Sequence, residues 1–77
     1  IDKADVKSEY IRAECKYTDK KSFVMKRSDL AKVSAACTGS QIPVFMVEFR
    51  EFNEIYYTIS EGWFLQLLEA YKHDQND

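Results

Sequence analysis

The residue types most able to do chemistry in this 77-residue chain are Glu14 and Lys16, two positions apart, with Asp5 upstream. They lie at or near an alternating polar and apolar stretch, 10–17, which predicts a β-strand. Side chains two residues apart on a strand point to the same face, so Glu14 and Lys16 share a face and Cys15 points the other way. Two carboxylates and an ammonium group are what a site for Mg²⁺ and a phosphodiester requires.

In such a site, Asp5 and Glu14 would supply carboxylate ligands, and the backbone carbonyl of Cys15, at the strand end, would supply a third oxygen. Lys16 could orient or deprotonate the attacking water, or stabilise the charge that develops on the phosphate. A second interpretation stays open, because a glutamate and a lysine at this spacing are common in proteins. Glu14 and Lys16 could form a simple ion pair worth under about 1 kcal/mol.

The surrounding pattern predicts the elements that would position these residues. Turn residues, helix caps and apolar periodicity divide the chain in the order β-β-β-α-β-β-α. The predicted strands are 5–7, 10–17, 22–26, 44–49 and 55–59. The first predicted helix, 28–38, is capped by Ser28 and stops at Gly39, and a last helix is capped by Ser60. A right-handed crossover would make strands 10–17 and 44–49 parallel neighbours in one sheet. The predicted class is α/β, a mixed central sheet with helices packed on it.

Several apolar residues near the carboxyl end are predicted to belong to the core. The last helix carries an apolar stripe, and the strand before it contains two adjacent tyrosines; the residues are Trp63, Phe64, Leu67, Leu68, Tyr71, Tyr56 and Tyr57. The chain is short enough for one domain, 1–77, and its polar end, 73–77, is expected to fray.

Charge is distributed unevenly along the chain. The net charge of −2 combines +3 over residues 1–32 with −5 over residues 48–77. Lys20, Lys21, Lys26 and Arg27 lie in the basic half and are candidates for contacts with DNA phosphates, although a solvated turn is an equally simple interpretation.

The two cysteines, Cys15 and Cys37, match no zinc-site spacing. They are expected to be buried free thiols, which suits an intracellular, cytoplasmic protein. The sequence contains no apolar run of membrane-spanning length and no signal-peptide pattern, so no membrane partner is expected.

The run from Asp5 to Phe49 resembles the PD-(D/E)XK nucleases, and among them the phage and archaeal Holliday-junction-resolvase-like and RecB-like enzymes. Asp5 matches the first motif of that family and Glu14-Cys15-Lys16 the second. The resemblance continues through short segments that agree in register and residue type, namely residues 17–18, 21–23, 28–30 and 42–44. It covers roughly residues 4–60.

The resemblance implies a restriction-endonuclease-like fold and Mg²⁺-dependent cleavage of DNA, with Mn²⁺ able to substitute. It makes Asp5 and Glu14 the metal ligands and Lys16 the catalytic lysine. Branched DNA is the implied substrate. A homodimer is the implied assembly, because symmetric cutting of two strands requires two sites. A phage genome is one implied source.

The chain departs from the family pattern in two places. Ala4 stands where the family has a proline, and the first helix of the family is absent from the sequence. Either that helix lies upstream of Ile1 in a longer chain, or this chain is a domain that has lost it or never had it. Two alternatives to the enzyme remain: a nuclease-derived fold that binds nucleic acid without cutting it, and an α/β module that binds protein partners.

Overall fold

The computed structural model describes residues 6, 7 and 9–76, which form a mixed β-sheet and two α-helices. The strands are β1 (Val6–Lys7), β2 (Ile11–Thr18), β3 (Ile42–Phe49) and β4 (Glu54–Thr58), and the helices are α1 (Arg27–Ala36) and α2 (Glu61–Asn76). A short 3₁₀ turn, Arg50–Phe52, joins β3 to β4. The α/β class with a mixed sheet is therefore confirmed.

The strands lie in the order β1-β2-β3-β4, so sequence order and spatial order agree. β2 and β3 are parallel, with Glu14 opposite Phe45 and Lys16 opposite Val47, whereas β1 pairs antiparallel with β2 and β4 antiparallel with β3. Parallel neighbours need a long crossover, and residues 19–41, which contain α1, provide it. The predicted parallel pairing of the Glu14 strand with the buried strand is confirmed.

The predicted strand at 22–26 is wrong, and the element order is β-β-α-β-β-α. Residues 22–26 have no regular secondary structure, because the crossover uses them to bring the chain from the end of β2 over the sheet to α1. Phe23 packs against Phe45 in this connection, with 6.2 Å between the ring centroids. The β-prone composition of the segment is thus used for side-chain packing rather than for strand pairing.

The predicted start of the first helix is wrong, whereas the predicted cap of the last helix is confirmed. α1 begins after Lys26, not Ser28, and no side chain caps it. Ser60 does cap α2, since the backbone N–H of Trp63 donates to its Oγ at 3.3 Å. Residues 73–76, which were expected to fray, belong to α2.

Both faces of the sheet carry buried side chains, which is why four consecutive residues of β3, 44–47, are buried. One face, called here the α1 face, carries Phe45 and Val47, which pack with Val33 of α1. The opposite face carries a second buried cluster, formed by Ala13, Cys15, Val44 and Met46. Cys15 is a buried free thiol as predicted, whereas Cys37, just beyond α1, is half-buried.

The predicted core role of the carboxyl-terminal aromatic and leucine residues is wrong. Tyr56 and Tyr57 of β4 are exposed, and of the α2 side chains between residues 61 and 75 only Trp63 is half-buried. An apolar stripe shows that a helix has a face to bury, but it does not specify the surface that covers it. No helix in the described part of the chain has both the length and the apolar character needed to cross a membrane.

Candidate active site on strand β2

Glu14 and Lys16 lie in the middle of β2, on the α1 face of the sheet, because their β3 partners are the buried Phe45 and Val47 of that face. The predicted position at the end of a strand is wrong, since β2 continues to Thr18. Cys15 therefore lies inside the paired part of the strand, opposite Met46. The predicted alternation of faces is confirmed by the burial of Ala13 and Cys15 and the partial exposure of Glu14 and Lys16.

The Glu14 carboxylate and the Lys16 ammonium form an ion pair, with 3.3 Å between Oε1 and Nζ. The side chains are 24% and 17% exposed, respectively, so both charges lie partly below the surface while the pair stays open to solvent. Partial desolvation strengthens the attraction relative to a fully exposed pair and costs hydration energy at the same time. This contact is what the ion-pair interpretation requires, and it is also the arrangement in which a carboxylate and an ammonium could act on one phosphate.

A groove of about 220 Å³ adjoins Glu14 on the α1 side. Its lining combines Arg12 and Glu14 from β2 with Lys32 and Ala36 from α1. Two cationic side chains therefore border the groove into which one carboxylate faces. Such a groove attracts an anion such as a phosphate group, and a cation could approach it only next to the carboxylate.

Sequence reasoning missed Lys32 as a neighbour of the site. The signal was weak: Lys32 precedes Ala36 by four residues and so shares a side of α1 with it, but nothing in the helix itself says that this side borders β2. Arg12 was on the predicted face with Glu14 and Lys16, and the structure brings it to the same groove.

The four candidate DNA-contacting cations, Lys20, Lys21, Lys26 and Arg27, are all exposed. They belong to the connection that follows β2 and to the first residue of α1, beyond Lys16 along the chain. Lys21 lines a groove with Phe52 and Tyr56, whereas Lys20 lines a different one with Tyr17 and Phe23. The loop therefore presents its positive charge on more than one side.

Arg50 holds the start of this loop against the 3₁₀ turn. Its guanidinium carbon lies 4.4 Å from the centroid of the Tyr17 ring, and its Nε lies 3.5 Å from the carboxylate of Asp19. A guanidinium over an aromatic ring and beside a carboxylate is held by two attractions from different directions. Arg50 was not a predicted site residue, because the two contacts join segments about thirty positions apart in the chain.

The fit to a metal ion depends on how many oxygen ligands the site can offer. Among residues 6, 7 and 9–76, no group of three or more histidine, cysteine, aspartate or glutamate side chains could hold a metal ion. The predicted ligand Asp5 lies outside the described residues. Of the two predicted carboxylate ligands, Glu14 is the one that lies within the described residues, and a single carboxylate fits Mg²⁺ only together with water and substrate phosphate oxygens or a second carboxylate.

Comparisons of the chain with family models, with curated proteins and with solved structures found no match.

Proposed function

We propose that this chain is a metal-dependent DNA endonuclease that hydrolyses phosphodiester bonds at Glu14 and Lys16. The observation that carries the proposal is the 3.3 Å contact of their charged groups on one face of β2, next to a groove bordered by Arg12 and Lys32. The combination supports a site that holds a phosphate beside a carboxylate.

Asp5 is the second carboxylate of the proposed site. The family resemblance makes Asp5 and Glu14 the metal ligands, and two carboxylates plus substrate oxygens are what Mg²⁺, or Mn²⁺ in its place, requires.

The side chains would divide the work of hydrolysis. Water forms a new bond to phosphorus and releases a proton to solvent, while the bond to one ester oxygen breaks and that oxygen takes up a proton from solvent. Lys16 would orient the water and balance the negative charge that develops on the phosphate, while Arg12 and Lys32 would draw the phosphate into the groove. A bound Mg²⁺ would add Lewis-acid polarisation of the phosphate and acidify a bound water.

DNA is the proposed substrate because the chain offers both a cationic groove and an exposed cationic loop. Lys20, Lys21, Lys26 and Arg27 would contact phosphates along the backbone, which positions a duplex without reading its sequence. The preference for branched DNA, such as a four-way junction, is the part of the proposal that rests on resemblance to junction resolvases alone.

The test is a cleavage assay on end-labelled four-way, flap and linear duplex DNA with Mg²⁺ or Mn²⁺. We expect Glu14→Gln and Lys16→Arg each to reduce cleavage at least 100-fold, because each keeps the size or charge of the side chain and removes its specific role. Glu69→Gln is the matched control, since Glu69 is an exposed glutamate on the distant helix α2. It should cut at the unmodified rate.

Metal binding is measured separately by titration calorimetry with Mn²⁺. Asp5→Asn and Glu14→Gln should each weaken binding at least tenfold, and Glu69→Gln should leave it unchanged. Metal-dependent cutting that survives both Glu14→Gln and Lys16→Arg would exclude this site as the catalytic centre.

A second candidate function is binding of nucleic acid without cleavage. The existing ion pair favours it, because Glu14 and Lys16 already neutralise each other at 3.3 Å and fewer than three metal-binding side chains cluster among the described residues. Under this alternative, DNA binding persists with no cleavage under any metal, and Asp5→Asn changes neither.

A further inference from the structure

A groove rich in aromatic side chains, called here the aromatic groove, lies where the 3₁₀ turn joins β3 to β4. Phe49, Phe52 and Tyr56 line it together with Lys21 and Glu54, and its volume is about 320 Å³. Phe52 and Tyr56 are 47% and 56% exposed. The Tyr56 and Phe49 rings meet edge to face, with 6.0 Å between their centroids. The groove therefore offers aromatic surface to a ligand and places two charged groups beside it.

The aromatic groove lies on the α1 face of the sheet, which is also the face of the Glu14–Lys16 pair. Tyr56 is opposite Val47 of β3, and Val47 is in turn opposite Lys16 of β2. Neighbouring strands are about 4.8 Å apart, so the Cα atoms of Lys16 and Tyr56 are about 10 Å apart across the sheet. A single DNA strand could therefore place one phosphate beside Lys16 and the base of a nearby nucleotide in the groove.

The chemical groups of the groove fit an unpaired nucleotide. Every nucleobase has a flat π-face that stacks on an aromatic ring. Lys21, which also belongs to the cationic loop, supplies positive charge for a phosphate. Glu54 supplies an acceptor for the N–H groups that an unpaired base exposes on its pairing edge. A purely apolar ligand is a poorer fit, because it would cover both charges without pairing them.

We propose that the aromatic groove binds the base of an unpaired nucleotide in a DNA strand whose phosphates contact the cationic loop. The inference rests on the proposed function in taking DNA as the ligand. It adds that the bound strand has an unpaired nucleotide close to the bond that is cut. Flap DNA supplies such a nucleotide directly, whereas a continuous duplex must first unstack and unpair a base, which costs free energy.

The experiment compares two labelled single-stranded DNAs of about ten nucleotides, a length within the site sizes of single-strand binding proteins. One has a normal sequence, and the other has abasic nucleotides throughout, so it keeps every phosphate and lacks the bases. Affinity is measured by fluorescence anisotropy in EDTA, which prevents metal-dependent cleavage. We expect the normal strand to bind at least fivefold more tightly than the abasic strand, because stacking of a single base contributes at least about this factor.

Two matched double variants assign this preference to the groove. F52A/Y56A should reduce the ratio of the two affinities to below about twofold, because it removes the exposed rings of the groove. Y57A/F64A is the control and should leave the ratio unchanged. It removes one phenylalanine and one tyrosine that are 54% and 65% exposed, on α2 and on the opposite face of the sheet. Far-ultraviolet circular dichroism verifies that both variants keep their secondary structure.

Lys21→Gln separates the phosphate contact from the base contact. It should weaken binding of the normal and the abasic strand by the same factor, because both strands keep the phosphate that Lys21 contacts. A free deoxynucleoside monophosphate tests the source of the base. It should displace the normal strand only in at least about 100-fold excess over the concentration at which the unlabelled strand does so, because it makes none of the other loop contacts.

Four results would overturn the proposal. The first is equal affinity for the normal and the abasic strand, and the second is a preference that F52A/Y56A leaves intact. The third is displacement by the monophosphate at concentrations similar to those of the strand, which would make the groove a site for free nucleotides. The fourth is an RNA strand of the same sequence that binds at least tenfold more tightly than the DNA, which would make RNA the ligand.

The binding assay and the cleavage assay fail separately. If no metal supports cleavage but the preference for the normal strand is present and is lost in F52A/Y56A, the nuclease is excluded and the base-binding groove stands. If cleavage depends on Glu14 and Lys16 but F52A/Y56A keeps the preference, the groove is excluded and the nuclease stands.

Discussion

Removing two loop lysines should change how strongly salt weakens DNA binding, by an amount that follows from the number of exposed cations. Lys20, Lys21, Lys26 and Arg27 are all exposed and free to approach phosphates. Each phosphate contact on duplex DNA contributes about −0.9 to the slope of log K against log salt concentration, so the four loop cations contribute about −3.6, in addition to the contacts of Arg12 and Lys32. K20Q/K21Q removes two of the loop contacts and should make the slope less negative by about 1.8.

The same numbers give the loss of affinity. Between 50 and 200 mM salt, the four loop contacts account for a loss of about 150-fold, and the two loop contacts that remain in K20Q/K21Q account for a loss of about 12-fold. The assay is fluorescence anisotropy of a labelled duplex in EDTA, titrated at four or more KCl concentrations, so that cleavage does not interfere.

A matched control separates local contacts from overall charge. Q66E/A70E also lowers the net charge by two, but at exposed positions of α2. It should leave the slope unchanged, because counterions are released only where cations meet phosphates. An unchanged slope in K20Q/K21Q, or an equal reduction in Q66E/A70E, would refute the assignment of the loop as the DNA-contacting surface.

Further predictions concern the fold and are measured by urea unfolding at concentrations where the chain is monomeric. Phe45→Ala should cost about 3–5 kcal/mol because Phe45 is 1% exposed, while Phe64→Ala, the same change at a half-exposed position, should cost under about 1 kcal/mol. Equal losses would contradict the exposure of α2. Gly39→Ala should destabilise by about 1 kcal/mol because Gly39 has φ +61°, whereas Gly62→Ala should stabilise by about 0.5–1 kcal/mol because it lies in a helix with free space around it. Ser60→Ala should cost about 1 kcal/mol through the lost cap of α2, and a neutral result would contradict that hydrogen bond.

The part of the fold that could be predicted from sequence depends on local periodicity. Alternation along 10–17 placed Cys15 inside and Glu14 outside, and the apolar run at 44–49 predicted a central strand; both predictions are confirmed. The right-handed crossover rule then supplied the parallel pairing of these two strands. Each inference needs only neighbouring residues or one connection, which is why it succeeded.

The errors in the predicted fold share one physical origin: the sequence of an apolar segment does not determine which surface the segment packs against. Residues 22–26 have the composition of a strand, but they pair with neither edge strand of the described sheet, and Phe23 packs against Phe45 instead. The stripe of α2 has the periodicity of a core helix, but most of its side chains are exposed in the described structure. Propensity and periodicity specify which side chains of a segment can be buried. The surface that buries them is determined by the assembled structure.

The candidate site shows the same limit at the level of single side chains. Strand phase tells which residues share a face with Glu14, and Arg12 and Lys16 were found in this way. Strand phase does not tell which of the two faces α1 covers, so the position of Lys32 at the groove could not be predicted from the sequence. A shift of β2 by one residue against β3 would turn Glu14 and Lys16 to the face of Val44 and Met46 and bury two charges among apolar side chains. The ion pair is therefore on the α1 face because the core cannot tolerate it on the other, and the groove beside it follows from where the crossover lays α1. Folding alone can therefore produce this arrangement of charges, whether or not the residues catalyse a reaction. For this reason the rate at which Glu14→Gln and Lys16→Arg cleave DNA, and not the arrangement itself, distinguishes an enzyme from a binding module.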